Sequence, residues 1–271
     1  MITMANRITG GSTSGGNYIK LSESATEDSS INVSGWVGWG SGGAISDDGR
    51  LMTLGATTDG YMVMFDCADS LGVDTMTHKQ SYSGFQGNSR SPKYSEDGTK
   101  FMYIDIDTYT IYTGTATTPF SVSSITGVTS WTDPNGSTYG PSSVNWSTDG
   151  RVVLIGDNSA TLFSAALSTP FDISSASITS VVVLDTTYAG TCGFNKEGTL
   201  LFTAGYGTVR TYILNTPFDI ESLASTAAYD SFSAKAASGL FFNDAGTHMY
   251  CLAGSGEEGL LTKYRLDRSI D

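Results

Sequence analysis

Residues 45–49 read Ile-Ser-Asp-Asp-Gly, and this pattern of an apolar residue, Ser or Asn, two mostly polar residues and Gly returns four times along the chain. The later copies are Tyr94-Ser95-Glu96-Asp97-Gly98, Trp146-Ser147-Thr148-Asp149-Gly150, Phe194-Asn195-Lys196-Glu197-Gly198 and Phe242-Asn243-Asp244-Ala245-Gly246. The final glycines follow one another at a nearly constant spacing. A period of about 50 residues is typical of a four-stranded propeller blade rather than of a helical solenoid. The repeat therefore predicts five blades.

A strand-like run follows each of these turns, and another follows the next polar loop. Glycine supplies the positive φ that a tight hairpin needs, so each turn is expected to join the first two strands of a blade. Second strands are predicted at 51–54, 101–104, 152–155, 200–204 and 248–252, and third strands at 61–65, 110–114, 160–167, 208–214 and 259–266. Sustained helical periodicity is absent from the sequence. The predicted fold is all-β, a five-bladed β-propeller of four-stranded antiparallel blades.

A second repeated element is Thr-Pro-Phe, which occurs at residues 118–120, 169–171 and 216–218. Each copy follows its turn glycine at a nearly constant distance along the chain. Proline ends a strand because it has no N–H to donate, and the following apolar residues can hold the loop against the blade. In the first repeat Asp-Cys-Ala-Asp-Ser at 66–70 replaces this element. We therefore expect blade one to be less regular than the others.

The ring is expected to close with its own N-terminal segment. The sequence ends at Asp271, only half a repeat after Gly246, so the fifth repeat lacks its outer strand. A strand beginning near Thr26, with residues 31–34 as its best candidate, would complete that blade and remove an open sheet edge. Residues 18–21 are interpreted as a remnant of a preceding third strand. The predicted organisation is a flexible Gly/Ser-rich arm at 1–17 and one propeller domain at 18–271.

Composition excludes several classes of function. With 14 basic against 27 acidic residues, the formal charge is −13, so a nucleic-acid partner is not expected. No apolar run is long enough to cross a bilayer, and the N-terminus lacks the apolar core of a signal peptide. We expect no membrane insertion and synthesis in a cytoplasm. The three cysteines cannot all pair with one another and have no CxxC spacing, so they are interpreted as reduced and buried.

Catalysis, cofactors and metal ions are not expected either. The chain has two histidines, and His248 is predicted to lie in a strand. The carboxylate pairs Asp105/Asp107 and Asp47/Asp48 are close in sequence, but this does not place two groups across a pocket as glycoside hydrolysis requires. No Gly-rich phosphate loop opens a helix, and residues 69–74 lack the alternating ligands of a calcium loop. A propeller glycosidase is therefore only the third hypothesis.

Aromatic residues recur near the predicted connections between blades. Propeller geometry places these connections at the same end of the ring as the loops between second and third strands. Rings beside acidic and amide side chains suit a sugar, so a lectin-like glycan site is one hypothesis, with packing between blades as the alternative interpretation. The candidate ligand-binding residues are Trp36, Trp39, Tyr82, Trp131, Tyr139, Tyr188 and Tyr229. Nearby polar candidates are Asp59, Asp105, Asp107, Asp157, Asn158, Glu257 and Glu258.

The Ser/Asn-x-x-Gly turn, a short strand and the stretch Leu-Ser-Thr-Pro-Phe-Asp-Ile-Ser at 167–174, nearly repeated at 214–221, resemble propeller repeats of marine bacteriophage and bacterial proteins. In phages such repeats resemble those of tail fibres, tail-associated proteins and head decorations. This resemblance implies a non-catalytic virion structural protein, present in several copies, with other virion proteins as partners and contact with a host-surface glycan as a further expectation. A free glycan-binding module is the alternative hypothesis.

Overall fold

The protein forms a five-bladed β-propeller, as predicted. In the computed structural model, the described residues are 18–34, 37, 42–55, 61–85, 87–132, 140–157, 159–186, 190–205, 207–234, 237–243, 245–253 and 259–270. Their strands build five separate four-stranded antiparallel sheets. The arm predicted at 1–17 lies outside the described residues. Within the described residues, no helix has the length and apolar character needed to cross a membrane.

The strands follow the repeat in chain order. A short helix, α1, spans Leu21–Ser24 and leads into β1 (Ala25–Asn32). Blade one contains β2 (Gly43–Ile45), β3 (Leu51–Gly55), β4 (Met62–Cys67) and β5 (Met76–Tyr82). Blade two contains β6 (Ser89–Tyr94), β7 (Lys100–Asp105), β8 (Thr110–Ala116) and β9 (Ile125–Thr132). Blade three contains β10 (Pro141–Trp146), β11 (Val152–Asp157), β12 (Thr161–Leu167) and β13 (Ala176–Val183).

Blade four contains β14 (Thr191–Phe194), β15 (Leu200–Gly205), β16 (Thr208–Ile213) and β17 (Asp230–Ser233). Blade five contains β18 (Ala237–Phe242), β19 (His248–Ala253) and β20 (Leu260–Leu266), and its order β1-β20-β19-β18 makes β1 the outer strand. Short 3-10 helices lie at Val73–Thr75, Val122–Ser124, Ile173–Ser175 and Ile220–Ser222. Every predicted second and third strand is present, and the strand ends lie close to the predicted ones.

The predicted closure is confirmed, and β1 begins close to the predicted start near Thr26, although residues 31–34 are only partly within it. β1 pairs antiparallel with β20 from Ala25 opposite Leu266 to Asn32 opposite Leu260. The strand therefore starts earlier than residues 31–34 and ends before Val33, whose N–H instead bonds to the Gly259 carbonyl at 2.6 Å. The register follows β20, because the whole length of that strand offers unpaired backbone groups.

The interpretation of residues 18–21 as a vestigial strand is wrong. Blade five already has four strands, so this segment instead folds into the gap between blades four and five. Ile19 and Leu21 are 3% and 0% exposed and join a core cluster with residues of both blades. The Lys20 carbonyl accepts the Ser24 N–H at 3.1 Å, which closes the single turn of α1. The backbone N–H of Ser22 donates to the Asp230 carboxylate at 3.0 Å and fixes the segment to blade four.

The turn glycines and the Thr-Pro-Phe elements form one structural unit in each blade that has both. Gly150 has φ +67°, and its carbonyl accepts the Phe171 N–H at 2.9 Å, while the Phe171 ring lies directly over the glycine. Phe171 itself has φ +61°. The pairs Gly98–Phe120 and Gly198–Phe218 repeat this arrangement. The third-to-fourth strand connection is thereby fixed to the first hairpin.

Blade one keeps this unit, so the expectation that it is irregular is wrong. Leu71 has φ +65°, its N–H bonds to the Gly49 carbonyl at 2.9 Å, and its side chain covers that glycine. A 3-10 helix with fully buried Val73 follows, as in blades two to four. The unit requires an apolar residue with positive φ over the glycine, and Leu71 meets that requirement without a proline.

Side-chain packing joins each blade to the next. The buried apolar residues fall into five clusters, each shared by two neighbouring blades. The cluster between blades five and one contains Phe241 and Tyr250 from one blade and Met52 and Leu54 from the other. Because side chains alternate between the two faces of a strand, each sheet packs against the blade before it and the blade after it. The hydrophobic core is therefore continuous around the ring.

Three of the hairpin turns carry an aspartate whose pKa is lowered. The carboxylate of Asp97 accepts the Ser95 hydroxyl at 2.6 Å and the Thr99 N–H at 3.0 Å, and the hydroxyl is the larger cause of the pKa shift. Asp48 and Asp149 make the same two contacts in their turns, again with the serine hydroxyl as the larger cause. These bonds need the ionised form.

Removal of β1 tests the closure. A chain that starts at Val33 leaves the β20 edge unpaired, so we expect loss of cooperative urea unfolding or self-association through that edge. Light scattering during size-exclusion chromatography and circular dichroism measure the two outcomes. The exposed substitution Glu23→Ala in the full chain is the control and should leave both unchanged. A monomeric truncated chain with an unchanged unfolding midpoint would contradict the role of β1.

The substitution Gly150→Ala tests the glycine–phenylalanine unit. An added Cβ would lie 2.5 Å from the Phe171 ring, so overpacking adds to the cost of positive φ. Gly127→Ala is the matched control, because Gly127 has φ +60° but nothing within 4 Å of an added Cβ. We expect Gly150→Ala to lower the free energy of unfolding by about 1–3 kcal/mol more than Gly127→Ala does. Equal losses in urea titrations would show that the ring contact contributes nothing.

The lowered pKa values of the turn aspartates predict that the free energy of unfolding falls at acid pH. A pKa that is lower in the folded than in the unfolded state stabilises the protein above the unfolded value of about 4, and this contribution disappears as pH falls through the folded pKa. We expect a triple variant, Asp48→Asn with Asp97→Asn and Asp149→Asn, to lose part of that pH dependence between pH 6 and pH 2. Urea midpoints measure it, with exposed Asp74→Asn as control. Identical profiles for parent and triple variant would refute the assignment.

Candidate functional site

A cavity of about 180 Å³ lies on the propeller axis. The innermost strand of every blade contributes to its wall, since Gly43, Lys93, Asn145, Gly193 and Phe241 come from β2, β6, β10, β14 and β18. The cavity extends to the end of the ring that carries the glycine turns. We call this the turn end. The five inner strands cannot pair with one another around the axis, so their edges leave space there.

The residues that follow Ser or Asn in the turns surround the cavity mouth. They are Asp47, Glu96, Thr148 and Lys196 in blades one to four, and the corresponding Asp244 lies outside the described residues. The Lys196 ammonium and the Glu96 carboxylate form a salt bridge of 2.6 Å between blades two and four. The Thr148 hydroxyl donates to the Lys196 carbonyl at 2.7 Å. This ion pair is partly exposed, so its effect on stability is small, but it narrows the mouth.

Lys93 is the cation inside the cavity. Its ammonium makes one long hydrogen bond, 3.4 Å, to the Gly43 carbonyl of blade one. Among the described residues, no carboxylate forms a salt bridge with it. The side chain keeps some accessible surface because it borders the cavity, but protein surrounds it, and this burial lowers the pKa of Lys93 to about 8. At neutral pH the cavity therefore contains a positive charge.

Asn145 provides the second polar group of the cavity. Its side-chain amide makes no hydrogen bond with any described residue, and its Nδ2 would lie 3.1 Å from a Cβ added at Gly193. The rest of the wall mixes apolar residues such as Ile45 and Phe242 with polar ones such as Asn195 and Asn243. The cavity can thus offer an ammonium, an amide and apolar contacts to a small ligand.

This axial site is not among the sites predicted from the sequence. Lys93 precedes the repeated turn of blade two, where Ala44, Asn145, Gly193 and Phe241 occupy the matching positions. A lysine at that position is a signal, since the first strand of a blade lies next to the axis. The signal becomes specific only when the five inner strands are placed around one cavity.

Four of the predicted aromatic site residues, Trp36, Trp39, Tyr139 and Tyr188, lie outside the described residues. Two others lie at the predicted end of the ring, but in outer strands rather than in the connections. Tyr82 ends β5 and packs edge-on against Phe85 at 5.2 Å. Trp131 is in β9, opposite Ile111, and packs on the cluster between blades two and three. Both rings are partly buried by packing, which is the alternative interpretation stated above.

Tyr229 is not in a connection between blades. It precedes β17, and its N–H bonds to the Thr211 carbonyl at 2.8 Å, so it lies along the outer edge of blade four. The reason is that β17 is short and begins opposite Thr211. The ring of Tyr229 is 39% exposed and meets Tyr18 edge-on. The structure therefore does not bring Tyr229 together with Tyr82 and Trp131.

Two of the three described acidic candidates, Asp105 and Asp157, have carboxylates that stabilise loop backbone; Asp107 is exposed. The Asp105 carboxylate is buried and accepts the N–H groups of Asn88 and Asp107 and the Thr108 hydroxyl, at 2.7–3.1 Å. Asp157 is buried in the same way and accepts two N–H groups and a hydroxyl from residues 159 and 161. Asp59, Asn158, Glu257 and Glu258 lie outside the described residues. Asp105 and Asp157 are thus committed to backbone geometry.

His248 and the three cysteines are partly or fully buried. His248 begins β19, as predicted, and burial lowers its pKa. All three cysteines are buried and free, and burial raises the pKa of Cys67 to about 11 and of Cys192 to about 12. Three or more His, Cys, Asp or Glu residues do not cluster in a way that could hold a metal ion in the described part of the chain.

Comparisons with known proteins give the fold alone. No model of a protein family matches the chain, and no curated protein does. The β-propeller domain of Cps50 (Swd1) from Myceliophteria thermophila is similar in structure, with a TM-score of 0.50 and 11% identity over 89% of this chain and 99% of that one. A functionally unknown protein from Desulfotomaculum acetoxidans DSM 771 matches with a TM-score of 0.47 and 10% identity, over 79% of this chain and 62% of that chain. The similarity to the Cps50 domain supports the propeller fold and says nothing about activity.

Proposed function

We propose that this chain is a non-catalytic structural protein of a bacteriophage particle, displayed in several copies on a tail or head surface. The observation that supports it best is that polar side chains in the turns and loops bond to the protein's own backbone. The described carboxylates and hydroxyls of the turns and loops hold backbone geometry, as Asp97, Asp105 and Asp157 do. A chain that uses its polar groups for rigidity is suited to assembly and display.

The closed ring supports the same proposal. Pairing of β1 with β20 ties the start of the described chain to its end, and the buried clusters couple every blade to its neighbours. Local opening of one blade then requires loss of two interfaces. The −13 net charge favours solubility and disfavours a nucleic-acid partner, so the partners we propose are other proteins of the particle.

The enzymatic alternative receives no support from the described loops. Glycoside hydrolysis uses two carboxyl groups about 5–9.5 Å apart across a pocket. Asp105 and Asp157 each accept three hydrogen bonds from backbone N–H groups and hydroxyls of the protein, which leaves them poorly placed for proton transfer to a substrate. The partly buried positions of Tyr82 and Trp131 likewise favour packing over sugar stacking.

Quantitative mass spectrometry of purified particles from the source of this sequence tests the proposal. Isotope-labelled copies of the tryptic peptide 80–90 and of a peptide from the major capsid protein give a copy number per particle, and we expect a fixed, stoichiometric value across preparations. An abundant host cytoplasmic protein serves as the control for carry-over. Immunogold labelling of intact particles then assigns heads or tails. Less than one copy per particle, or recovery that follows the host control, would overturn the proposal.

A further inference from the structure

We propose that the central cavity binds a small organic monocarboxylate, with the Lys93 ammonium and the Asn145 amide as the groups that hold its carboxylate. This inference is independent of the particle proposed above, since it concerns the axis of the ring and not its outer surfaces. Four properties of the cavity support it: its charge, its open donors, its size and its surroundings.

The charge of Lys93 is incompletely compensated. An ammonium has three donors, and one long bond to the Gly43 carbonyl is the hydrogen bond that it makes with the described residues. Transfer of an ammonium from water into protein is costly unless it is paired and hydrogen-bonded. A bound anion would supply both the opposite charge and the missing acceptors. The cavity therefore favours an anion over a neutral ligand.

The amide of Asn145 supplies a second donor in the same cavity. Asn145 and Lys93 are at matching positions of adjacent inner strands, β10 and β6, and both border the cavity. The Asn145 side chain has no partner among the described residues, so its NH₂ group is available. An ammonium and an amide can each donate to one oxygen of a carboxylate, and hydrogen bonds to ionised groups are the stronger kind.

The size of the cavity restricts the ligand. Drug-sized ligands occupy roughly 300–1,000 Å³, whereas an apolar cavity of about 150 Å³ accepts benzene. At about 180 Å³ this cavity has room for a molecule near the size of benzoate, and not for a nucleotide or an oligosaccharide. Apolar residues such as Phe120, Trp146 and Phe242 also line the cavity and can contact the apolar part of such a ligand.

The surrounding ionisable groups leave Lys93 as the charge that responds to pH near neutrality. On β14 burial raises the pKa of Cys192 to about 12, and on β6 burial raises the pKa of Tyr94, so both stay uncharged. At the mouth Lys196 and Glu96 form a salt bridge, and the Asp47 carboxylate also borders the cavity. The one ammonium inside the cavity matches the single charge of a monocarboxylate.

The pH dependence has a definite sign. Because burial lowers the pKa of Lys93 to about 8, the ammonium is charged at pH 7 and becomes neutral as pH rises. Binding that needs the charge is constant below this value and weakens by up to about tenfold per pH unit above it. A bound carboxylate stabilises the ammonium, so it should in turn raise the pKa of Lys93.

Titration calorimetry of the full chain with sodium benzoate, and separately with sodium acetate, tests the proposal. We expect saturable binding at one site at pH 7, and at least about tenfold weaker binding in Lys93→Met, since a charged hydrogen-bond partner is lost. Lys79→Met is the matched control, because Lys79 is an exposed lysine on outer strand β5 paired with Asp66, and it should bind as the parent does. Unfolding midpoints confirm that each variant is folded.

Gly193→Ala keeps Lys93 and decides the matter if Lys93→Met does not fold. The added Cβ would lie 3.1 Å from Asn145 Nδ2 and crowd the amide. We therefore expect weaker benzoate binding while Lys93 keeps its charge. A second measurement is the pKa of Lys93 by NMR of lysine labelled at Cε, which should rise on addition of benzoate. No saturable binding of either carboxylate, equal binding by Lys93→Met, or equally tight competition by chloride would overturn the proposal.

Discussion

The pairing of β1 with β20 is the constraint on which the architecture depends. A circular array of sheets needs every blade to have two neighbours, and blade five has its four strands only because residues 25–32 supply the outer one. The two strands that meet there lie at opposite ends of the described chain, so forming this contact costs a large loop-closure entropy. It is stabilised by the antiparallel ladder itself, by the burial of Ile19 and Leu21, and by the salt bridge of Lys263 with Asp28 at 2.6 Å.

Ring closure also brings the inner strands together around the axis, where their edges have backbone groups without a partner strand. Buried serines bond to some of these backbone groups. The Ser91 hydroxyl donates to the Val144 carbonyl and accepts the Val144 N–H, and the Ser143 hydroxyl accepts the Cys192 N–H. These bonds join blade two to three and three to four at the backbone, which gives small hydroxyl residues a structural use in a sequence with few charges. Lys93 extends this pattern, since it reaches the Gly43 carbonyl from the neighbouring blade.

Two sets of polar side chains in this protein differ in their hydrogen bonding. Turn and loop carboxylates such as Asp97 and Asp157 accept hydrogen bonds from local backbone N–H groups and make the repeat rigid. Lys93 and Asn145, which border the axial cavity, retain unused hydrogen-bonding capacity, unlike the axial serines Ser91 and Ser143. Function is often carried by loops. Here Asp105 and Asp157 already bond to loop backbone, so these loops support the sugar and enzyme hypotheses less than their composition suggested.

The sequence by itself determined the number of blades, the hairpins and the closing segment, because glycine at positive φ and a constant repeat period are local requirements that leave a direct record in the chain. It could not determine the register of β1 or the helical turn at Leu21, since these follow from the unpaired edge of β20 and from the gap between blades four and five. The regularity of blade one was not predicted, because Leu71 adopts the same positive φ over the turn glycine as Phe171 but lies in a different sequence motif. Only the tertiary structure decided which residues share the axis, because five positions that are each one repeat apart become neighbours through ring closure alone.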